Sequence, residues 1–167
     1  MNTLRYAFTG VLLTALTGCV SVNIQSNVSP DARPDFRRVL IVSKLSVLTP
    51  DYLPRFQDAF PPDYQVCSVA NNPISFINLD ESIRQGIRDC NSEVLLTLGF
   101  GRNYTSGGGE YISSYNEVYA EMSSVANGKP FWKAVITTNG SNEVPPQKIV
   151  NQLLKDGIIT GRKPKIY

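Results

Sequence analysis

The sequence predicts an α+β domain: a mixed sheet of about five strands with three helices, in the order β-α-β-α-β-β-β-α, arranged as a two-layer sandwich. Two observations carry this prediction. Early in the chain, short apolar runs alternate with amphipathic segments of helix length, which favours parallel strands joined by helices. Later, two alternating segments flank Asn127-Gly128, a pair typical of hairpin turns because both central residues adopt positive φ. The 167 residues suffice for one domain with a substantial core.

Five segments have the composition and alternation of β-strands. Residues 38–45 contain a continuous apolar run, which is typical of a buried strand. Residues 64–70 and 93–100 follow, and the second of these is apolar enough to lie at the centre of the sheet. Residues 113–122 and 131–138 alternate strictly and are expected to pair as a hairpin.

Three helices are predicted from capping signals and apolar stripes. The first is expected between residues 54 and 61, after a Thr-Pro-Asp start signal. Asn78 and Glu81 form a capping box that opens the second helix, residues 78–90. The third helix, residues 145–157, begins at a Pro-Pro pair and ends at a glycine.

The amino terminus has the form of an export signal. A basic start and a short apolar stretch, too short to span a bilayer, lead to Leu16-Thr17-Gly18-Cys19. This arrangement resembles the signal sequence of bacterial envelope lipoproteins, in which a peptidase cuts before the cysteine and acyl chains are added to it. The resemblance implies a cleaved leader (1–18) and a membrane anchor on Cys19. Because Val20 follows the cysteine, it also implies an outer-membrane location facing the periplasm. A buried first helix of a cytosolic domain is the alternative.

The remaining chain divides into a tether, one domain and a tail. Residues 19–37 are polar, contain two prolines and are predicted to form a tether between the lipid and the domain. Because apolar residues from Val20 to Ile24 alternate with polar ones, a short edge strand is the alternative there. The single domain is expected over residues 38–160, followed by a loose basic tail, residues 161–167.

Two cysteines, Cys67 and Cys90, form an even pair in an oxidising compartment once Cys19 is assigned to lipid. Cys67 lies in a predicted strand and Cys90 at the end of the next helix. Because that helix runs back antiparallel to its strand, the two sulfurs can meet in a disulfide. Such a crosslink would stabilise the fold by about 3 kcal/mol in the chain-entropy description. Two buried free thiols are the alternative.

The composition excludes several kinds of chemistry. The chain contains no histidine, the usual general base and the commonest metal ligand, so a Ser-His-Asp or Cys-His unit cannot form. Two cysteines are too few for an all-thiolate zinc site, and we assign no catalytic residue, metal ligand or cofactor. Glu117 and Glu121 lie on one strand roughly 13 Å apart, too far for a glycosidase pair. With 16 Lys+Arg against 14 Asp+Glu and no dense basic run, a nucleic-acid partner is not expected.

Four tyrosines cluster around the glycine-rich stretch 99–109, in which Gly107-Gly108-Gly109 is predicted to be a flexible hairpin tip. Aromatic side chains beside glycine and serine suit a contact surface for a protein or peptide, and they can also stack on sugar rings. Cross-strand pairing that only stabilises the sheet is the alternative. The candidate contact residues are Tyr104, Tyr111, Tyr115 and Tyr119.

The predicted hairpin also carries a resemblance. Residues 121–134, with Asn127-Gly128-Lys129-Pro130 before Phe131-Trp132, are similar to a hairpin that recurs in small bacterial envelope lipoproteins of unknown function. The segment also resembles relatives of the curli-secretion lipoprotein and the amino-terminal domain of the Tol-system periplasmic protein. This resemblance implies an α/β sandwich with helices packed on one mixed sheet.

These features together predict a lipid-anchored, non-enzymatic binding or assembly accessory of the cell envelope. The membrane is one expected partner, through acyl chains on Cys19, and an envelope protein or a glycan is the other. A histidine-free enzyme acting on envelope glycan or lipid is the alternative. Whether the domain self-associates is not determined by the sequence.

Overall fold

The computed structural model of the chain describes residues 21–31, 34–45, 48–108, 111–139, 141 and 143–161. The predicted leader, Cys19 and residues 162–167 of the predicted tail lie outside the described residues. None of the helices in the described ranges is both long enough and apolar enough to cross a bilayer. The elements are the strands β1 (Val22–Val28), β2 (Arg38–Ser43), β3 (Gln65–Ala70), β4 (Val94–Gly108), β5 (Tyr111–Ser124) and β6 (Pro130–Asn139), and the helices α1 (Arg55–Ala59), α2 (Leu79–Asp89) and α3 (Pro146–Lys155).

All six strands belong to one mixed, open sheet in the order β1-β6-β5-β4-β2-β3. β2 is parallel to both β3 and β4, whereas the other neighbours are antiparallel. The predicted α+β class, with a mixed sheet and three helices, is therefore confirmed, and the sheet has six strands instead of about five.

The helices lie on both faces of the sheet. α1 and α3 pack on the main core, which also receives Ile41 of β2. The neighbouring Leu40 points to the opposite face, where α2 packs so closely that a Cβ placed at Gly86 would lie 2.9 Å from a methyl carbon of Val69. The crossovers β2-α1-β3 and β3-α2-β4 run in opposite directions, and right-handed connections then place their helices on opposite faces. The predicted two-layer arrangement therefore holds for β4, β5, β6 and β1, whereas β2 and β3 lie between helices.

The main core lies between the sheet and the α1–α3 layer. Its largest side chain is Trp132 of β6, whose indole Nε1 donates a hydrogen bond of 2.7 Å to Asp156 Oδ2 after α3. Leu96 of β4 and Met122 of β5 are fully buried beside it in the same cluster. Fully burying a large apolar side chain stabilises the fold by roughly 1.5–3 kcal/mol.

The predicted tether needs correction, because its first part is a strand. Residues 22–28 form β1, which pairs antiparallel with β6 from Val22 opposite Thr138 to Val28 opposite Trp132. The alternating apolar residues of β1 pack against the edge of the core, while the intervening polar residues remain exposed. The alternation at Val22 and Ile24 thus indicates a strand, in agreement with the alternative interpretation of this segment.

Gly109 of the predicted hairpin tip lies outside the described residues, and the strand predicted to end at Phe100 is longer than expected in the glycine-rich stretch 99–109. β4 continues through it to Gly108 and pairs with β5 as far as Tyr111, with a register shift between Phe100 and Asn103. Cross-strand backbone pairing therefore holds these glycines in an extended ribbon that projects beyond the end of β2. The ribbon consists of residues 101–108 and 111–116.

A disulfide joins β3 to the end of α2. Cys67 and Cys90 are bonded, with their Cα atoms 6.4 Å apart. Because α2 runs back along the sheet from the carboxyl end of β3, its last residue returns to the level of Cys67. The crosslink holds α2 over β2 and β3, where Gly86 allows close approach.

Candidate binding surface on the open face of the sheet

One face of the sheet is left without a helix over β4, β5, β6 and β1. α2 packs against β2 and β3, so none of the described helices covers this area, which we call the open face. Strand alternation and the observed register determine which side chains it presents. They are Tyr115, Glu117, Tyr119 and Glu121 of β5, Arg102 and Tyr104 of β4, Lys133, Val135 and Thr137 of β6, and Asn23, Gln25 and Asn27 of β1.

Among the described side chains of the open face, Tyr119 is the most exposed aromatic one, with 47% of its surface accessible. Its ring lies directly on the backbone of β4 at Gly101, where an added Cβ would approach Tyr119 Cε2 to 2.8 Å. Only glycine leaves room for the ring in this position. The ring is thus held against the sheet on one side and open to solvent on the other.

Arg102 and Glu117 form a two-pronged ion pair beside this ring. Arg102 Nε donates to Glu117 Oε2 at 2.8 Å, and Nη2 donates to Oε1 at 3.1 Å. Glu117 is buried, at 8% exposure, whereas the Arg102 side chain is 70% exposed. The hydrogen bonds to this carboxylate raise the pKa of Arg102, so its charge is permanent.

The ion pair continues into a stack of aromatic rings. The Arg102 guanidinium carbon lies 5.4 Å from the centre of the Tyr104 ring. Tyr104 in turn stacks on Tyr115 across the strand pair, with ring centres 5.4 Å apart and planes 20° apart. Cation–π and aromatic contacts of this kind order the side chains before any partner arrives.

A shallow groove of about 510 Å³ lies next to Tyr119 and reaches the outer strand β1. Lys133 and Glu121 form an ion pair of 2.9 Å at its side, and Gln25 and Asn27 line its far end. Its charged side chains are thus one cation and one anion, paired with each other. The lining of the groove is mainly apolar, with Tyr119 and Val135 among its residues, and amide groups and a balanced ion pair border it, which suits a partner surface that is partly apolar and carries no large net charge.

The structure brings three of the four candidate tyrosines together. Tyr104, Tyr115 and Tyr119 all lie on the open face. The backbone of Tyr111 pairs with Gly108 at the end of the ribbon, and its side chain lies outside the described part of the chain. The rings of Tyr104 and Tyr115 stack on each other, as expected from the alternative that these tyrosines pair across strands and stabilise the sheet. Tyr119 instead keeps one face of its ring accessible to solvent.

Sequence reasoning missed the partners of these tyrosines. Gly101 and Arg102 lie just beyond the predicted end of the third strand at Phe100, although the alternation of β5 could have been extended to a pairing strand. Gln25 and Asn27 were included in the tether. Each of the four residues contributes to the surface only because a strand is present where none was predicted.

The carboxylates of the open face are not arranged for acid–base catalysis. Glu117 forms an ion pair with Arg102, and Glu121 forms an ion pair with Lys133. Among the described residues, no group of three or more histidine, cysteine, aspartate or glutamate side chains is placed to hold a metal ion. What the surface offers is a place for non-covalent contact.

No protein-family model and no curated protein sequence matches the chain. Solved structures similar to it include a PelC dodecamer from Paraburkholderia phytofirmans, at 15% identity and a TM-score of 0.45, with 85% of this chain and 100% of that chain covered. Lipoprotein GNA1162 from Neisseria meningitidis is similar at 12% identity and a TM-score of 0.35, with 72% of this chain and 94% of that chain covered. Because both TM-scores are below 0.5, these similarities do not assign a function to this chain.

Proposed function

We propose that this chain is a non-enzymatic binding or assembly accessory of the bacterial cell envelope, and that it contacts its partner through the open face around Tyr119. The observation that carries the proposal is an uncovered sheet face on which a half-exposed aromatic ring is seated on a glycine. Aromatic anchors of this kind dominate many protein interfaces because they add contact area with little loss of side-chain freedom.

Another envelope protein is the partner that the surface favours. Its two ion pairs, Arg102–Glu117 and Lys133–Glu121, leave no net charge, so strong attraction to a polyanion or polycation is not expected. The groove is shallow and opens toward the outer strand β1. A shallow groove is typical of a contact surface for another protein, whereas small molecules usually bind in deep pockets. A neutral glycan that stacks on Tyr119 is the competing ligand.

The proposed location is the outer membrane, with the domain facing the periplasm and held by acyl chains on Cys19. The lipobox Leu16-Thr17-Gly18-Cys19 supports this anchor, since two or more acyl chains give stable attachment. We expect Cys19→Ala to move the protein from the membrane fraction to the soluble periplasmic fraction. Fractionation followed by immunoblotting measures this, and a membrane-bound Cys19→Ala protein would contradict the anchor.

Crosslinking in intact cells tests the binding function. The acylated protein is affinity-captured after crosslinking, and its partners are identified by mass spectrometry. We expect a reproducible envelope protein that is lost with Tyr119→Ala. The control is Phe100→Ala. Phe100 is an exposed aromatic residue of β4, and its position on the strand faces away from the open face.

Thermal unfolding of both variants shows whether the fold is preserved. Equal capture by wild type and Tyr119→Ala would refute the proposed contact surface. An empty capture from wild-type cells would point to a glycan, which binding of the acylated protein to isolated cell-wall material would then reveal.

A further inference from the structure

The loop between β3 and α2 exposes an apolar cluster that the proposed function does not use. Ile74 is 87% exposed, Ile77 is 53% exposed and Phe76 is fully exposed. Residues 71–78 contain no charged side chain. A single exposed apolar residue is ordinary, but three large ones within four positions form a patch that is typical of an interaction site.

Local hydrogen bonds hold this loop in place. The Asn72 side chain accepts from the backbone N–H of Ile74 at 3.1 Å, and the Ser75 hydroxyl accepts from that of Ile77 at 3.1 Å. The loop then ends at Asn78, whose side chain caps α2 by accepting from Glu81 N at 2.8 Å. Local hydrogen bonds therefore hold the loop backbone, and the three apolar side chains are exposed on the side away from the core.

A depression of about 310 Å³ lies beside the loop, at the carboxyl ends of β2 and β3. It forms there because the chain leaves β2 toward one face of the sheet and β3 toward the other, which opens a crevice between the two connections. Its lining is mainly apolar and includes Leu45, Leu48, Pro50, Leu53 and Pro73. The volume is large enough for one aromatic side chain.

We propose that this surface is self-complementary, so that in a two-fold dimer Phe76 of each copy enters the depression of the other. Pro73 belongs both to the wall of the depression and to the loop that carries Phe76, so projection and depression are adjacent. A two-fold axis between them places each projection opposite a depression, which is the geometry of an isologous interface. Six large apolar side chains, three from each copy, bury on the order of 1,000 Å², the area that a specific interface needs.

A second copy fits this surface better than a lipid bilayer does. Loops and helices that insert into membranes are usually flanked by lysine and arginine, because many bilayer surfaces are anionic. Here the loop is followed directly by Asp80 and Glu81 in the first turn of α2. A bilayer would also leave the depression without a matching projection.

A photocrosslinking amino acid tests the proposal in the full-length protein in intact cells. A benzophenone analogue of phenylalanine is placed at position 76, where full exposure means that the fold tolerates it. We expect an adduct of twice the chain mass, in which the attached peptide comes from residues 45–53. The same probe at Lys129, which is exposed in the β5–β6 turn at the opposite end of the sheet, is the control and should not reach residues 45–53.

The size of the effect is measured on the purified acylated protein in detergent by sedimentation. We expect Phe76→Ser to weaken self-association at least about 30-fold, as for loss of an interface anchor, while Phe76→Leu retains most of it. The melting temperature measured at a concentration at which both proteins are monomeric should not change, because the side chain is outside the core. An adduct at monomer mass, an adduct to lipid or to a different protein, no adduct, or unchanged self-association of Phe76→Ser would overturn the proposal. Capture of a partner through Tyr119 is independent of this result, because that surface lies on other strands.

Discussion

At the scale of single residues, Gly101 determines how the open face presents its aromatic ring. A side chain at this position would occupy the space that the Tyr119 ring fills. Two residues earlier, Gly99 has nothing within 4 Å of the place where a Cβ would be added. The two glycines lie on the same strand, yet only Gly101 is needed for the arrangement of the surface.

We therefore expect Gly101→Ala to impair binding without replacing Tyr119 itself. The added methyl group displaces the ring from its seat and should reduce capture of the partner about tenfold, equivalent to ~1.4 kcal/mol. Gly99→Ala is the matched control and should leave capture unchanged. Quantitative mass spectrometry of captured partners gives the comparison, and equal effects of the two substitutions would show that the ring position is unimportant.

At the scale of elements, the disulfide between Cys67 and Cys90 attaches α2 to an outer strand. α2 contains no fully buried residue, so its apolar contact with the sheet is limited. The close approach at Gly86 and the covalent link compensate for this small contact area. The apolar loop 73–77 directly precedes α2, so the crosslink also stabilises the element that presents Phe76.

Replacing both bonded cysteines, as Cys67→Ser with Cys90→Ser, should lower the free energy of unfolding by about 3 kcal/mol. Denaturant unfolding measures the loss, and reduced wild-type protein should unfold like the variant. Because α2 lies away from the open face, capture through Tyr119 should survive under native conditions. If wild type and variant have the same free energy of unfolding under oxidising conditions, the crosslink does not constrain the unfolded chain.

At the scale of the whole molecule, Glu93 joins two central strands at their amino-terminal ends. Its Oε2 accepts from the backbone N–H groups of Arg37 and Arg38 at 2.7 and 3.0 Å, and Oε1 pairs with Arg38 Nη2 at 2.6 Å. These backbone hydrogen bonds, which are the largest cause, and the neighbouring arginines lower the pKa of Glu93. The carboxylate thus stabilises the fold while it is ionised.

The stabilisation by Glu93 should therefore depend on pH in the acid range. A carboxyl group with a lowered folded-state pKa contributes fully above its unfolded pKa of about 4.3, and the contribution disappears as the pH falls through the folded value. We expect Glu93→Gln to cost about 1 kcal/mol at neutral pH, after allowance for its partial exposure, and the difference from wild type to shrink below pH ~4.

Urea unfolding at a series of pH values measures this difference. Glu81→Gln is the control, because Glu81 bonds only to arginines of its own exposed helix, and it should change stability less. A difference between wild type and Glu93→Gln that is constant across the acid range would contradict the role assigned to Glu93.

The sequence by itself determined the α+β class, the three helices and which side of β5 enters the core. These features follow from hydrophobic periodicity and helix-capping residues, which are local properties of the sequence and do not depend on the rest of the fold. Only the tertiary structure decided that residues 22–28 form a strand, since their weak alternation becomes useful only when β6 offers an edge to pair with. The same holds for the ribbon, because backbone pairing with β5 carries β4 beyond its predicted end at Phe100. The open face and the depression at β2 and β3 also depend on the fold, because both follow from the directions in which the connections leave the sheet.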